Sequence, residues 1–248
     1  MLLVDIGNSK TKYTYFENEQ FSTVVSVANE QFNVDVFKLE AKAITKVLVA
    51  NVANQDIAKK IEQYCKGVTN SKGSAIDFLE IKSEKQRGAV VSGYEQPERL
   101  GVDRWLAILG GQALYPNQTL LIIDSGTATT VDLLNDDGTH FGGWIMPGID
   151  TLFTSVLSST KKVNADYQAT ASMAFGTNTD ANVNNACWAM TVGAIKEALV
   201  EANKLVTQVD KVILTGGNAE KISTLVQNMQ EKPIIESELL FHGMKSYL

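Results

Sequence analysis

Cysteine and histidine are scarce in this chain: two of each in 248 residues. Cys65 and Cys187 lie far apart and form no CxxC pair, so reduced thiols in a cytoplasmic protein are expected. Each falls within a helical pattern, which makes core packing the default for both. His140 and His242 stand at no metal or triad spacing, and exposed or capping roles are expected for them. With no cysteine near a histidine, nucleophilic catalysis has no support. No apolar run approaches ~18 residues, so no transmembrane helix and no membrane partner are expected. The N-terminus lacks a basic region and carries Asp5 early, unlike a secretory signal. A long basic stripe is also missing. The net charge is −6 and the pI near 5.1, so nucleic acid is not an expected partner. Neither GxGxxG opening a helix nor GxxxxGK[ST] occurs, which excludes the Rossmann fingerprint and the P-loop.

What remains is ordinary globular composition, 44% hydrophobic and 20% charged, in a chain long enough for two domains of about 120 residues. Apolar runs and alternation predict strands over 1–6, 12–16, 21–27, 46–50 and 77–81. Helices are expected over 54–65 and 103–114, the second stopped by Tyr115-Pro116. Pro116-Asn117-Gln118 reads as a boundary between lobes at 1–116 and 117–248. The second half repeats the order. Strands are expected over 119–124, 129–134 and 139–145, with Asn135–Gly138 as a hairpin turn. Helices follow over 148–158 and 181–207, then a strand over 211–214 and a helix over 219–229. Loops 66–76 and 158–172 are polar.

Two strand ends carry the chemistry. Met1–Ile6 runs into Asp5 and Gly7-Asn8-Ser9, and Leu120–Ile123 runs into Asp124 and Ser125-Gly126-Thr127. Glycine in such a turn lets backbone N–H groups approach a ligand closely. Ser9, Thr127 and Thr129 offer hydroxyls to phosphate oxygens. A carboxylate repels phosphate, so each Asp makes best sense holding a cation or its water. Two such half-sites point to a nucleotide held between two similar lobes.

The ordered segments DIGNSKTK, GVDRW, DSGTATTVD, GGWIMPG, FGTNT and ILTGGNAE resemble the signatures of type III pantothenate kinases. Each is weak alone; the ordered set, spanning roughly residues 1–219, is specific. The resemblance implies an α/β fold of two ribonuclease-H-like lobes, as in the actin-like ATPases, with the nucleotide cleft between them. It also implies ATP-dependent phosphorylation of pantothenate, the first step of coenzyme A synthesis. Asp103 matches the catalytic aspartate, accepting the proton of the substrate hydroxyl. An Asp of ordinary pKa, ~4, cannot ionise an alcohol in the ground state, but in a loose phosphoryl-transfer transition state positioning dominates.

Substrate contacts implied by the resemblance are Tyr94, Gly101, Val102, Asp103, Arg104 and Thr179, with Arg104 gripping the pantothenate carboxylate. Asp5, Ile6, Gly7, Asn8, Ser9, Lys10, Thr11 and Lys12 match the first phosphate loop, where Ser9 replaces the family's more frequent Thr. Thr127 matches the ATP contact of the second lobe. Asp124 matches the ligand of a monovalent cation, K+ or NH4+. Asp5 suits Mg2+ or another divalent cation, reached through water. A homodimer is implied as well.

Taken singly, these residues have plainer readings. Asp103 is also a helix N-cap, Arg104 a surface charge, Tyr94 a half-buried ring, Thr179 a helix start, and Lys12 a solvated lysine. The turns at 7–9 and 127 are also simple hairpin turns. Two other functions stay open from sequence: a kinase of the same superfamily acting on a sugar or carboxylate, and a nucleotide switch or regulator on a kinase scaffold.

Overall fold

A computed structural model describes residues 1–168, 170–227 and 232–248. Two compact units divide it, each discontinuous in sequence. One comprises Met1–Glu84, Gln96–Leu106 and Met244–Leu248; the other comprises Lys85–Glu95 and Ala107–Gly243. The sequence reading drew a single cut after residue 116.

In the first unit, β1 (Leu2–Ile6) runs antiparallel to β2 (Lys10–Glu17). The segment expected as one strand over 21–27 is two: β3 (Gln20–Phe21) and β4 (Val25–Ala28), both antiparallel to β2. The break falls at Ser22, where side-chain bonds join a main-chain bond from Ser22 N to Tyr15 O. Ser22 Oγ accepts from Tyr15 N at 3.0 Å and the Ser22 carbonyl accepts from Thr14 Oγ1 at 2.8 Å. On the other side of β1 lie β5 (Lys46–Asn51) and then β6 (Asp77–Glu80), both parallel. The path through the sheet is β3-β2-β1-β5-β6. Only Asp5 among the residues of β1 escapes full burial, as a strand covered on both faces requires.

Helix α1 (Gln55–Gly67) begins at Asn54, whose side chain accepts from Ile57 N, an N-cap. Its Ile57, Ile61 and Cys65, at helical spacing, pack with Leu2, Val4, Ile6, Val47 and Val49 of the sheet. Helix α2 (Val102–Leu114) contributes its residues through Leu106 to this unit and the remainder to the other.

The second unit holds a small hairpin of β7 (Gln86–Arg87) and β8 (Val90–Val91), followed by β9 (Leu120–Ser125), β10 (Ala128–Leu134) and β11 (His140–Pro147). Helices α3 (Ile149–Ser159) and α4 (Thr179–Leu205) lead to β12 (Lys211–Thr215). After α5 (Ala219–Leu225) come β13 (Ile234–Ile235) and α6 (Leu239–Met244). The end of the helix expected over 219–229, at 228 and 229, lies outside the described residues, as does Ala169 in the polar segment 158–172. The sheet order is β11-β10-β9-β12-β13, the same connectivity as in the first unit.

Leu121, Ile123, Val131 and Leu133 meet Val183, Cys187, Trp188, Val192 and Ile195 of α4 in the core. Between β10 and β11 the register slips: Leu133 faces Gly142 and Leu134 faces His140, with Phe141 left over. This β-bulge buries His140 and leaves Phe141 exposed.

Candidate active site

Both aspartates at the strand ends occupy the same address in their sheets. Asp5 faces Lys12 across the antiparallel neighbour and Ala50 across the parallel one. Asp124 faces Thr130 and Thr215 in the matching directions. Each is half-buried, so each side chain keeps some contact with solvent while its strand is fixed in the core.

The turn after Asp5 is tied down on one side. Gly7 N donates to Lys10 O at 3.0 Å. Asn29, just past β4, donates from Nδ2 to Gly7 O at 2.9 Å and to Asn8 O at 3.1 Å, and from its backbone N to Ser9 O at 3.0 Å. Asn8, Ser9 and Lys10 are exposed, Lys12 is half-buried and Thr11 is buried. The sequence reading did not select Asn29. Its only sequence signal is a polar residue ending the strand that must pair with Lys10–Tyr13.

The turn after Asp124 is held differently. Gly126 N donates to Ala128 O, and Thr127 O accepts from both Gly148 N and Thr151 Oγ1 at 3.1 Å. A Cβ on Gly148 would sit 2.2 Å from Gly126 O, so only glycine admits this contact with the start of α3. Thr127 is exposed. Gly216, at φ +86°, passes so close that a Cβ would lie 2.3 Å from Asp124 Oδ1 and 2.6 Å from Ser125 O. Behind the turn, the Ser125 and Thr129 hydroxyls bond each other at 3.0 Å. Thr129 is therefore a buried support and does not face ligand.

Asp103 sits in the first turn of α2, half-buried, with Oδ1 accepting from Arg104 N at 2.8 Å. A Cβ on Gly101 would fall 2.6 Å from that same oxygen, so a side chain there would displace the carboxylate. Gly101, Val102 and Asp103 line a pocket of about 400 Å3 with Asn51, Lys82 and Arg99. Asn51, at the end of β5, is the register partner of Ile6 on the strand that carries Asp5. Lys82 and Arg99 escaped sequence reading because isolated basic residues in loops carry no pattern. Arg104 is only 4% exposed, which removes the surface-charge reading.

Tyr94 and Thr179 belong to the second unit. Thr179 is the exposed first residue of α4, whose N-cap is Asn178, accepting from Ala181 N at 2.8 Å. Tyr94 is half-buried and stacks on His140, with ring centroids 6.2 Å apart and planes 14° apart. His140 is 1% exposed and bonds Asp132, correcting the expectation of an exposed or capping histidine. The bulge caused the miss, because it turns a residue inward that strict alternation would not flag. Among the described residues, no group of three or more His, Cys, Asp or Glu side chains is placed to hold a metal ion.

The type III pantothenate kinase family model matches residues 1–201. A type III pantothenate kinase of Colwellia psychrerythraea is 39% identical, covering 100% of this chain and 99% of that protein. Another from Pseudoalteromonas translucida is 32% identical over 98% of this chain and 94% of its own length. Among solved structures, a protein named as a Baf family transcriptional activator from Campylobacter jejuni superposes with TM-score 0.61 at 22% identity, covering 99% of this chain and 96% of that one. A protein of Sinorhizobium meliloti named as a 2-dehydro-3-deoxygalactonokinase gives TM-score 0.57 at 14% identity, over 99% and 94%. These two likenesses concern the fold alone. With a family model over residues 1–201 and relatives matched along their full length, the chain belongs to the type III pantothenate kinases, which phosphorylate pantothenate with ATP in coenzyme A biosynthesis.

Proposed function

We propose that Asp103 is the catalytic base of this reaction. Pantothenate's primary hydroxyl attacks the γ-phosphorus of ATP, the bond to the β,γ-bridging oxygen breaks, and ADP leaves. Asp103 accepts the hydroxyl proton as the new P–O bond forms, and later passes it to solvent. The observation that carries this reading is the guarded carboxylate. Glycine at 101 leaves it room, Arg104 N fixes one oxygen, and a pocket lies before it. An oriented acceptor matters because the nucleophile's position, more than its ionisation, governs phosphoryl transfer.

Residues 5–12 hold the ATP phosphates, with Asn8 and Ser9 supplying N–H groups, Gly7 closing the turn onto Lys10, and Thr11 and Lys12 completing the loop. Thr127 makes the matching contact from the second turn. Arg104, Tyr94, Gly101, Val102 and Thr179 bind pantothenate, Arg104 through its carboxylate. A guanidinium offers a planar fork of donors that matches a carboxylate.

Two cations fit the donors present. Asp124 Oδ1 and Ser125 O converge over Gly216, an all-oxygen pair with one charge that suits K+ or NH4+. Asp5 is a single carboxylate, and Mg2+ bound mainly by phosphates and waters needs no more. When bound, these ions neutralise phosphate charge.

The two buried, unpaired cysteines favour a reducing, cytoplasmic setting. The exposed Phe141 and Trp144 on β11, which share one groove with Leu205 of α4, favour a homodimer, since clustered apolar surface marks interfaces. A phosphorylation assay with pantothenate, ATP and Mg2+, in potassium and in sodium, tests the whole reading. Potassium-dependent 4′-phosphopantothenate that vanishes in Asp103→Asn is expected; equal turnover in that variant overturns the base assignment.

A further inference from the structure

We propose that Asn29 is the positioning residue of the first phosphate turn. It is the clamp that aims backbone N–H groups of residues 8 and 9 at the ATP phosphates. The proposal rests on the reading that residues 5–12 hold those phosphates.

Three consecutive carbonyls, those of Gly7, Asn8 and Ser9, accept hydrogen bonds from this one residue. The first two come from Nδ2 at 2.9 and 3.1 Å, the third from the backbone N at 3.0 Å. In a trans peptide the N–H points opposite to the C=O across a rigid plane. Gripping the Gly7 carbonyl therefore fixes the direction of the Asn8 N–H, and gripping the Asn8 carbonyl fixes that of Ser9. Both N–H vectors are turned away from Asn29, onto the side where Asn8 and Ser9 are exposed. Successive N–H groups aimed one way form an anion-binding concavity. Carbonyls left to rotate would instead present lone pairs to the phosphates.

The orientation of the amide is itself set. Thr11 Oγ1 donates to Asn29 Oδ1 at 2.8 Å. A threonine hydroxyl that donates must meet the oxygen end of the amide, which leaves the NH2 end for the two carbonyls. Thr11 is fully buried on β2, so its hydroxyl is a rigid reference. Asn29 follows β4, which pairs with β2 across Lys10–Tyr13. The clamp is thus anchored to the same strand that carries the turn. Aspartate is close to asparagine in shape but cannot replace it, because a carboxylate accepts where two donors are needed. The second turn needs no such residue, since Gly148 and Thr151 hold the Thr127 carbonyl there.

The test is ATP and ADP binding by calorimetry, with steady-state KM for both substrates, on the full chain. Asn29→Asp retains an acceptor for Thr11 and loses both amide donors. It is expected to weaken ATP and ADP at least tenfold while the pantothenate KM stays within about twofold. Thr11→Val leaves Asn29 in place and removes only its orienting hydroxyl. A smaller weakening of the same sign is expected, and this variant serves should Asn29→Asp not fold. Native nucleotide affinity in folded Asn29→Asp overturns the proposal. So does an equal loss for pantothenate, which marks a merely structural role. Ser9→Pro, which removes the Ser9 N–H, and Lys12→Ala separate the two ideas: native ATP affinity in both removes the phosphate-turn reading and the proposal with it. If those two weaken ATP and Asn29→Asp does not, the clamp alone fails.

Discussion

His140 donates from Nε2 to Asp132 Oδ1 at 2.9 Å, both side chains being within a few per cent of full burial. Nδ1 of the same ring meets no partner among the described residues, so the Nε2–H tautomer is the one that satisfies the carboxylate. Removing one member of a buried pair costs about 3–5 kcal/mol. His140→Ala should therefore lower the melting temperature by well over ~5 °C. The double change Asp132→Leu with His140→Phe should recover much of the loss. Calorimetric melting of the three proteins checks this, and an unshifted His140→Ala would show the pair to be idle.

Asp103→Asn keeps the shape of the side chain and its acceptor for Arg104 N, but no longer takes a proton readily. Turnover should fall about 10²–10⁴-fold, with ATP affinity unchanged. Product formation followed by mass, beside nucleotide titration, reads both quantities. Loss of ATP binding would instead place Asp103 in the nucleotide site.

Gly216→Ala forces a Cβ against Asp124 Oδ1 and asks alanine to hold φ +86°. Strain of this kind costs roughly 1–3 kcal/mol. Displacement of the carboxylate should raise the potassium concentration needed for half-maximal activity. Potassium titrations of the variant measure it. An unchanged requirement in a folded protein would remove Asp124 from the cation site.

Burial pushes the Cys65 thiol up to about 11 from an ordinary 9, and burial raises Cys187 as well. Reactivity follows the thiolate, so neither should react with a thiol reagent at pH 8 until the protein is unfolded. The neutral thiol is the form the fold favours. Cys65 thus contributes stability that is complete below pH 9 and is lost as pH rises through about 11. Labelling with and without denaturant, and chemical melts across pH 9 to 11, test the two statements.

Much of this was legible because apolar period and turn chemistry are local properties. Leu120–Ile123 and Ile57/Ile61 declare a buried strand and a helix face, and both lie where expected. The two Asp–Gly turns were visible for the same reason. The residues that escaped act through distant neighbours. Asn29 reaches back to Gly7 and Asn8, and His140 depends on a one-residue bulge. Lys82 and Arg99 become pocket residues only once the chain brings them beside Asp103. The break at Ser22 came from hydroxyl bonds competing with a ladder, which propensity alone does not weigh.

Tyr247 carries a consequence for how the chain is made. Its hydroxyl accepts from Trp105 Nε1 at 3.0 Å and donates to Glu84 at 2.8 Å, while its carbonyl accepts from Lys46 Nζ at 2.8 Å. All four residues belong to the first unit, yet residues 107–243 intervene before Met244 returns to it. On the ribosome, where synthesis is vectorial and domains fold in order, that unit emerges with Trp105 still uncapped. Its final closure waits on a segment translated more than half a chain later, so chaperone dependence should concentrate in that interval.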